Sequence, residues 1–369
     1  MNTDELMRPL RAAVRARLGA APGAVLAISQ GNDVHIETVG SATLDGDTPL
    51  SADTVFRISS MTKPLVAALA MMLVEDGVFG PADPVERWLP ELANRRVLRS
   101  LGGTDTEPAE RPITVDDVLT MRMGFGFVFD EPCPTLELAA RAGLGIGPPD
   151  PANPLTPDEW IARFAELPLL RQPGADWMYD LAYGVLGVLI ARAAGRPLDE
   201  LLHERLLAPL GMTDTGFTAT DPARLIPCYQ GDGTLFDPVD GSRWANRPAF
   251  PDPRGGLVAT ARDYLRFANL LLRGGVTADA TRLLSAGSVT AMTTNRLTKP
   301  TDSFFLTAGA WGYGMEVITT EARYGWGGGL GTTWYSYPDR DLAVVLLTQC
   351  LPPPEPLVDA FWSTLHSLL

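Results

Sequence analysis

The stretch Phe56-Arg57-Ile58-Ser59-Ser60-Met61-Thr62-Lys63-Pro64-Leu65-Val66-Ala67-Ala68-Leu69 sets a serine three residues before a lysine, at the opening of an apolar segment. On a helix that spacing puts both side chains on one face. Of the 30 basic residues only Lys63 and Lys299 are lysines, so a surface cation in this chain is nearly always an arginine. An amine taken out of water can lose its proton near neutral pH, whereas guanidinium stays charged. Lys63 is therefore hard to read as solubilising charge, and Ser60 and Lys63 read as a nucleophile with its base. A serine at a helix start also gains from the positive end of the helix dipole, and its own N–H can hold an oxyanion. Ser-x-x-Lys recurs by chance, and a capping serine beside a solvated lysine satisfies it equally, so the surrounding chain decides.

The rest of the composition narrows the classes. A length of 369 residues with 46% hydrophobic content allows two structural units, or one large domain with an insertion. A net charge of −14 and the lack of a basic patch argue against a nucleic-acid partner. Cys133, Cys228 and Cys350 are far apart, without Cys-x-x-Cys, which fits a reducing compartment and excludes a cysteine-rich metal site. The acidic start Asn2-Thr3-Asp4-Glu5-Leu6 continues as an amphipathic, arginine-bearing helix to Gly19, unlike a signal peptide, and no run of eighteen apolar residues follows. A cytoplasmic location without a membrane partner is expected. Oligomeric state is not legible.

Residues 24–30 and 34–40 read as a hairpin turning at Gly31-Asn32-Asp33. Near the other end, 312–318, 332–337 and 342–347 read as strands, with a turn at Pro338-Asp339-Arg340-Asp341 and a closing helix over 357–369. Helix signals fill the middle: Thr114 before an acidic turn, Thr156-Pro157-Asp158-Glu159, an apolar segment from Asp180 to Ala194 ending at Gly195, and Thr260 to Leu272 before Gly274-Gly275. The expected fold is α/β: an antiparallel sheet flanked by helices and built from both termini (residues 1–80 with 300–369), with a mostly helical inserted domain over 81–299.

His35, His203 and His366 lie away from any nucleophile-like turn, and the sequence has no Gly-x-Ser-x-Gly or His-x-x-x-His. A Ser-His-Asp hydrolase and a zinc hydrolase are poorly supported, and the histidines read as structural or surface groups. The Ser60 segment, by contrast, resembles the active-site opening of the serine β-lactamase and penicillin-binding protein superfamily. It is most similar to the branch holding class C β-lactamases, family VIII carboxylesterases and related transacylases. Further stretches resemble that branch in order: Ile113-Thr114-Val115 to Leu119-Thr120, Pro173-Gly174-Ala175-Asp176-Trp177-Met178-Tyr179, Leu186-Gly187, Pro209 to Thr215, Gly255 to Tyr264, and Gly325-Trp326-Gly327-Gly328-Gly329.

The resemblance implies a β-lactamase-like fold and roles by position. Tyr179 matches the tyrosine whose hydroxyl shares a proton with the lysine and serine. Trp326-Gly327-Gly328 stands where β-lactamases have Lys-Thr-Gly on an inner strand, which makes the Gly329 N–H the second oxyanion donor beside that of Ser60. Two departures bear on substrate. Tyr179-Asp180-Leu181 replaces Tyr-x-Asn, removing the amide that would grip a β-lactam side chain. Trp326 replaces the lysine that would pair with a lactam carboxylate. A pocket of Trp326, Gly327, Gly328, Asp180 and Leu181 favours neutral, apolar acyl groups, and a cytoplasmic location counts against cell-wall peptides. Asp180, Tyr183 and Arg122 are further candidates for the cleft, and Lys299 reads as solvated.

The sequence therefore reads as a serine acyl-hydrolase with a Ser60–Lys63–Tyr179 centre, acting on a small-molecule ester or acyl substrate without metal or organic cofactor. A biosynthetic transacylase is the near alternative, and a weak β-lactamase or D-amino-acid peptidase shares the same chemistry. A non-catalytic binding protein on this scaffold is the rival from another class. The joint presence of Ser60, Lys63 and Tyr179 speaks against it.

Overall fold

In a computed structural model, which describes residues 2–129, 131–301, 303 and 305–369, the two ends of the chain meet in one sheet. Its strands are β1 (Gly23–Gln30), β2 (Asp33–Gly40), β3 (Glu316–Ile318), β4 (Arg323–Gly328), β5 (Thr332–Tyr337) and β6 (Leu342–Leu347), in the order β2-β1-β6-β5-β4-β3. All neighbours are antiparallel. The join is β1 with β6, running from Val25 opposite Leu347 to Gln30 opposite Leu342. The helices used below are α1 (Thr3–Arg15), α2 (Thr62–Glu75), α3 (Val115–Leu119), α4 (Pro157–Ala165), α5 (Ala182–Ala194), α6 (Ala261–Leu272) and α7 (Glu355–Leu368).

Side chains alternate across a strand, and here both faces are buried, so β1 and β6 read as nearly unbroken apolar runs. Leu26, Ile28, Val344 and Leu346 pack on α1 and α7 through Leu6, Leu10, Phe361 and Leu365. Val25, Ala27, Val345 and Leu347 point the other way, into the core that holds α2. Helix α2 is apolar all round and buried from Thr62 to Leu73, as expected of a helix enclosed on every side.

The expected caps form. Thr114 and Asp117 make a capping box before α3, and Thr156 and Glu159 make one before α4, with Pro157 in the first turn. Gly195 closes α5 in the left-handed region at φ 65°. Two expectations are corrected. The strand expected over 312–318 is confined to Glu316–Ile318, because the chain first turns onto α2. At Gly314, φ +88°, an added Cβ would lie 2.7 Å from Ala67 Cβ and 2.9 Å from the Lys63 carbonyl oxygen. Helix α6 falls inside the 81–299 stretch expected to be the insertion, yet it lies against the sheet. Ser29 Oγ donates to Asn269 Oδ1 at 2.8 Å, and Tyr264 meets Trp334 edge-on at 5.4 Å. Its apolar face needs a partner, and the inner sheet face supplies one.

Candidate active site

Ser60 sits on a sharp turn between a two-residue strand, Phe56–Arg57, and α2. Ser59 takes φ 48°, a left-handed conformation uncommon for a residue with a Cβ, and a 3-10 turn over Ser59–Met61 then feeds the helix. The turn is fastened from below. Arg57 is fully buried and donates through Nε to Asp237 Oδ2 (2.9 Å), and through Nη1 to the Ile226 carbonyl (2.6 Å) and Gln349 Oε1 (3.0 Å). Burial opposes ionisation of Asp237, but the Arg57 charge and the Ser242 hydroxyl hold its carboxyl below the usual carboxylate range. Thr332 Oγ1 on β5 donates to the Ile58 carbonyl at 2.9 Å. Strand β4 approaches so closely that a Cβ on Gly328 would lie 2.4 Å from that same carbonyl oxygen. Only glycine fits there.

Lys63, the second residue of α2 and one helical turn after Ser60, has no exposed surface. Its Nζ lies 3.0 Å from Ser60 Oγ, 2.6 Å from the Arg254 carbonyl oxygen and 3.3 Å from Asp180 Oδ2. The same nitrogen sits over the face of the Tyr179 ring, 4.5 Å from its centroid. Serine, lysine and tyrosine are thus brought together, but with an orientation the sequence did not suggest. The tyrosine offers its ring to the amine, while its hydroxyl accepts from Trp326 Nε1 at 3.0 Å. Phe305, Trp177 and Phe127 pack around the same ring.

The Arg254 carbonyl is aimed at Lys63 by its own side chain. The guanidinium donates to Asp252 through Nε (2.9 Å) and Nη2 (2.6 Å), and to the Gly145 carbonyl through Nη1 (2.7 Å). Burial works against the charge on Arg254, but Asp252 and then Asp180 lift its pKa above the ordinary arginine value. Burial likewise opposes the charge on Asp252, and Arg254 holds that carboxyl below the usual range.

Ser60 opens onto a cavity of about 650 Å³ whose lining includes Tyr179, Asp180, Phe127, Phe305, Trp326, Gly327, Gly328 and Gly329. A second cavity of about 660 Å³ adjoins it behind Phe127, Tyr179 and Phe305. Leu181 is placed differently from the expectation. It precedes α5, is fully buried and belongs to the core rather than to the cavity wall, because the apolar face of α5 begins there. Tyr183 is likewise interior, donating to the Leu119 carbonyl at 3.2 Å, with burial raising its phenol pKa well above the ordinary value. Arg122 pairs with Asp116 at 2.8 Å and faces the second cavity. Lys299 is exposed and bonds to Asp176 at 2.8 Å. His35 contacts Glu37, His366 contacts Tyr337, and His203 is exposed. Among the described residues no group of three or more His, Cys, Asp or Glu is placed to hold a metal ion, and no helix is long and apolar enough to cross a membrane.

Sequence reasoning missed Asp252 and Arg254, whose signal is faint: an Asp-x-Arg directly before the matched Gly255-Gly256 pair. It also missed Phe127 and Phe305, which carry no local mark of a site.

An antiparallel sheet drawn from both chain ends, helices on its two faces, and a buried lysine against a serine on a tight turn define the β-lactamase-like class of fold. The chain belongs to the Beta-lactamase family, whose model matches residues 10–368. It is 36% identical over 377 residues to an uncharacterised protein of Mycobacterium tuberculosis, covering 95% of this chain and 91% of that one. It is 30% identical over 363 residues to esterase EstB of Burkholderia gladioli, covering 88% and 85%. Among solved structures it resembles EstCE1, described as a hydrolase with promiscuous acyltransferase activity, with a TM-score of 0.81 at 23% identity, covering 98% and 99%. The EstB relative supports a serine acyl-hydrolase, and the likeness to EstCE1 supports the fold.

Proposed function

We propose that this protein is a serine esterase that forms an acyl-enzyme on Ser60 and acts on small neutral or apolar esters. The observation that carries the reading is the enclosed Lys63 amine, 3.0 Å from Ser60 Oγ. Nucleophile and base within hydrogen-bond reach, with the base fixed by further groups, is the general signature of an activated serine. Lys63 takes the Ser60 proton as Oγ adds to the ester carbonyl. The N–H groups of Ser60 and Gly329 receive the oxyanion. Tyr179 accepts from Trp326 through a lone pair and not through its O–H, so the phenol is able to hand a proton to the departing alcohol. Water then attacks the acyl-enzyme by the same route.

The aromatic lining by Phe127, Tyr179, Phe305 and Trp326 supports an apolar acyl group, since it presents hydrophobic surface with few polar contacts. Hydrolysis of short-chain nitrophenyl esters by the wild type and by Ser60→Ala tests this, together with intact mass after a fluorophosphonate. The wild type gains one adduct, and Ser60→Ala gains none and loses at least about 10³-fold in rate. Equal rates without an adduct point to a binding protein. Nitrocefin cleavage rivalling the esters overturns the substrate assignment.

A transacylase reading is favoured by one observation: the second cavity meets the first at Tyr179. An acceptor seated there reaches the acyl-enzyme beside the same proton carriers. Acyl transfer to an added alcohol that outpaces hydrolysis at millimolar acceptor supports it, and strict hydrolysis excludes it.

A further inference from the structure

Four charged groups crowd the floor of the cavity: Lys63 on α2, Asp180 ahead of α5, and Asp252 with Arg254 ahead of α6. Arg254 is bound to Asp252 by two hydrogen bonds, while Asp180 is the carboxylate paired directly with Lys63, at 3.3 Å. Its other oxygen, Oδ1, is buried without a hydrogen-bond partner among the described residues. An orphaned carboxylate oxygen in a buried site costs free energy, and a neutral residue at this position would avoid that cost. The other polar groups facing the pair are Ser60, the ring of Tyr179 and the Arg254 carbonyl, with the Arg254 guanidinium acting on Asp180 and Asp252 acting on Lys63 through their charges. Ser60 Oγ, Lys63 Nζ and Asp180 Oδ2 thus form a continuous chain of nucleophile, base and carboxylate.

Resting on the proposed role of Ser60 and Lys63, we infer that Asp180 is the positioning residue of the acylation step, orienting the Lys63 amine and balancing the positive charge it acquires. As acylation begins, the Ser60 O–H bond breaks and its proton joins the Nζ lone pair. Oγ bonds to the carbonyl carbon, and the carbonyl electron pair moves onto oxygen. When the carbon–oxygen bond to the alcohol breaks, the proton is returned through the Lys63–Tyr179 side of the site to the leaving oxygen. Asp180 takes no part in the proton transfer itself; it holds the amine in place. This is the part a carboxylate plays for the imidazole of a Ser-His-Asp triad, transferred to an amine. A carboxylate serving only the core would leave the reactivity of Ser60 independent of its charge.

The test is the rate of fluorophosphonate addition to Ser60, followed by intact mass across pH 5–10, for the wild type, Asp180→Asn and Asp180→Ser. This readout reports activation of the nucleophile whatever the natural substrate is. Both variants are expected to label about 10²-fold more slowly at the plateau. Their rising limb is expected to move to lower pH, because an amine that loses a neighbouring carboxylate holds a proton less firmly. Circular dichroism checks that they are folded. Wild-type rates, or slow labelling with the limb unmoved, overturn the inference while leaving the esterase reading intact. If neither variant folds, the carboxylate serves the core and the inference falls. A wild type that takes no adduct at all removes the serine-nucleophile reading, and this one with it.

Discussion

Replacing Arg57 by methionine should destabilise the protein by about 4 kcal/mol. The guanidinium and its partner Asp237 are both fully buried, so the substitution leaves a carboxylate inside the protein without its main counter-charge. Breaking a buried ion pair from one side typically costs about 3–5 kcal/mol. Asp237 keeps the Ser242 hydroxyl at 2.6 Å and the Arg243 guanidinium at 3.1 Å, which places this contribution at the lower end, about 3 kcal/mol. The Ile226 carbonyl, which accepts from Arg57 at 2.6 Å, loses a partner and adds about 1 kcal/mol or more. Urea unfolding followed by tryptophan fluorescence reads the difference. The double variant Arg57→Met with Asp237→Leu should recover much of the loss, since a matched apolar pair removes the orphaned charge. The pH dependence has a definite sign. Asp237 titrates below the unfolded carboxylate value in the native wild type. Its contribution is therefore fully present above the unfolded pKa and is lost as pH falls through the folded one. Without Arg57 the carboxyl is no longer held low, so the gap between wild type and variant narrows on acidification. A loss under about 1 kcal/mol at neutral pH, or a gap that widens in acid, refutes the reasoning.

Lys63→Arg keeps the charge and removes the basicity, so labelling of Ser60 should fall about 10²–10⁴-fold, and near-normal rates argue against the proton role. Gly328→Ala forces a Cβ to within 2.4 Å of the Ile58 carbonyl oxygen and of Thr332 Oγ1, so it should cost about 1–3 kcal/mol of stability and slow esterolysis by shifting the Ser60 turn. Unchanged stability and rate would show that β4 yields there. Trp326→Phe deletes the N–H that binds Tyr179 Oη while keeping an aromatic wall; kcat for nitrophenyl butyrate should fall about tenfold with KM nearly constant, whereas a rise confined to KM would make the indole a binding group only.

What the sequence made legible follows from range. Capping boxes at Thr114 and Thr156, the left-handed Gly195 and the Gly31-Asn32-Asp33 turn are written within a few residues, so local chemistry specifies them. Ser60 and Lys63 belong to the same class, being one helical turn apart. That strands near both chain ends share one unit was expected from their placement on either side of the helical middle, and β1 and β6 carry nearly unbroken apolar runs, the mark of a strand covered on two faces. The Arg57–Asp237 pair, separated by 180 residues, and the Arg254 carbonyl on Lys63, separated by 191, leave no local trace. Leu181 shows the limit most clearly. Its neighbour Asp180 reaches the cavity while Leu181 itself enters the core, and only the direction of α5 tells the two apart.

The long-range contacts are also what make a lysine tolerable where it stands. An amine without solvent contact needs acceptors supplied by the protein, and no residue of α2 other than Lys63 itself brings a charged side chain to its buried stretch. The acceptors arrive from Asp180 and from the Arg254 backbone, the latter fixed by an arginine whose own charge is met by Asp252. The Lys63 amine would be costly alone, and its acceptors arrive only when segments more than a hundred residues apart have docked. The proposed activation of Ser60 therefore depends on the tertiary fold rather than on the helix that carries it. A chain that had formed α2 but not yet seated the 252–256 loop would hold the Ser60–Lys63 spacing intact and still lack the polar cage that fixes the amine against the hydroxyl.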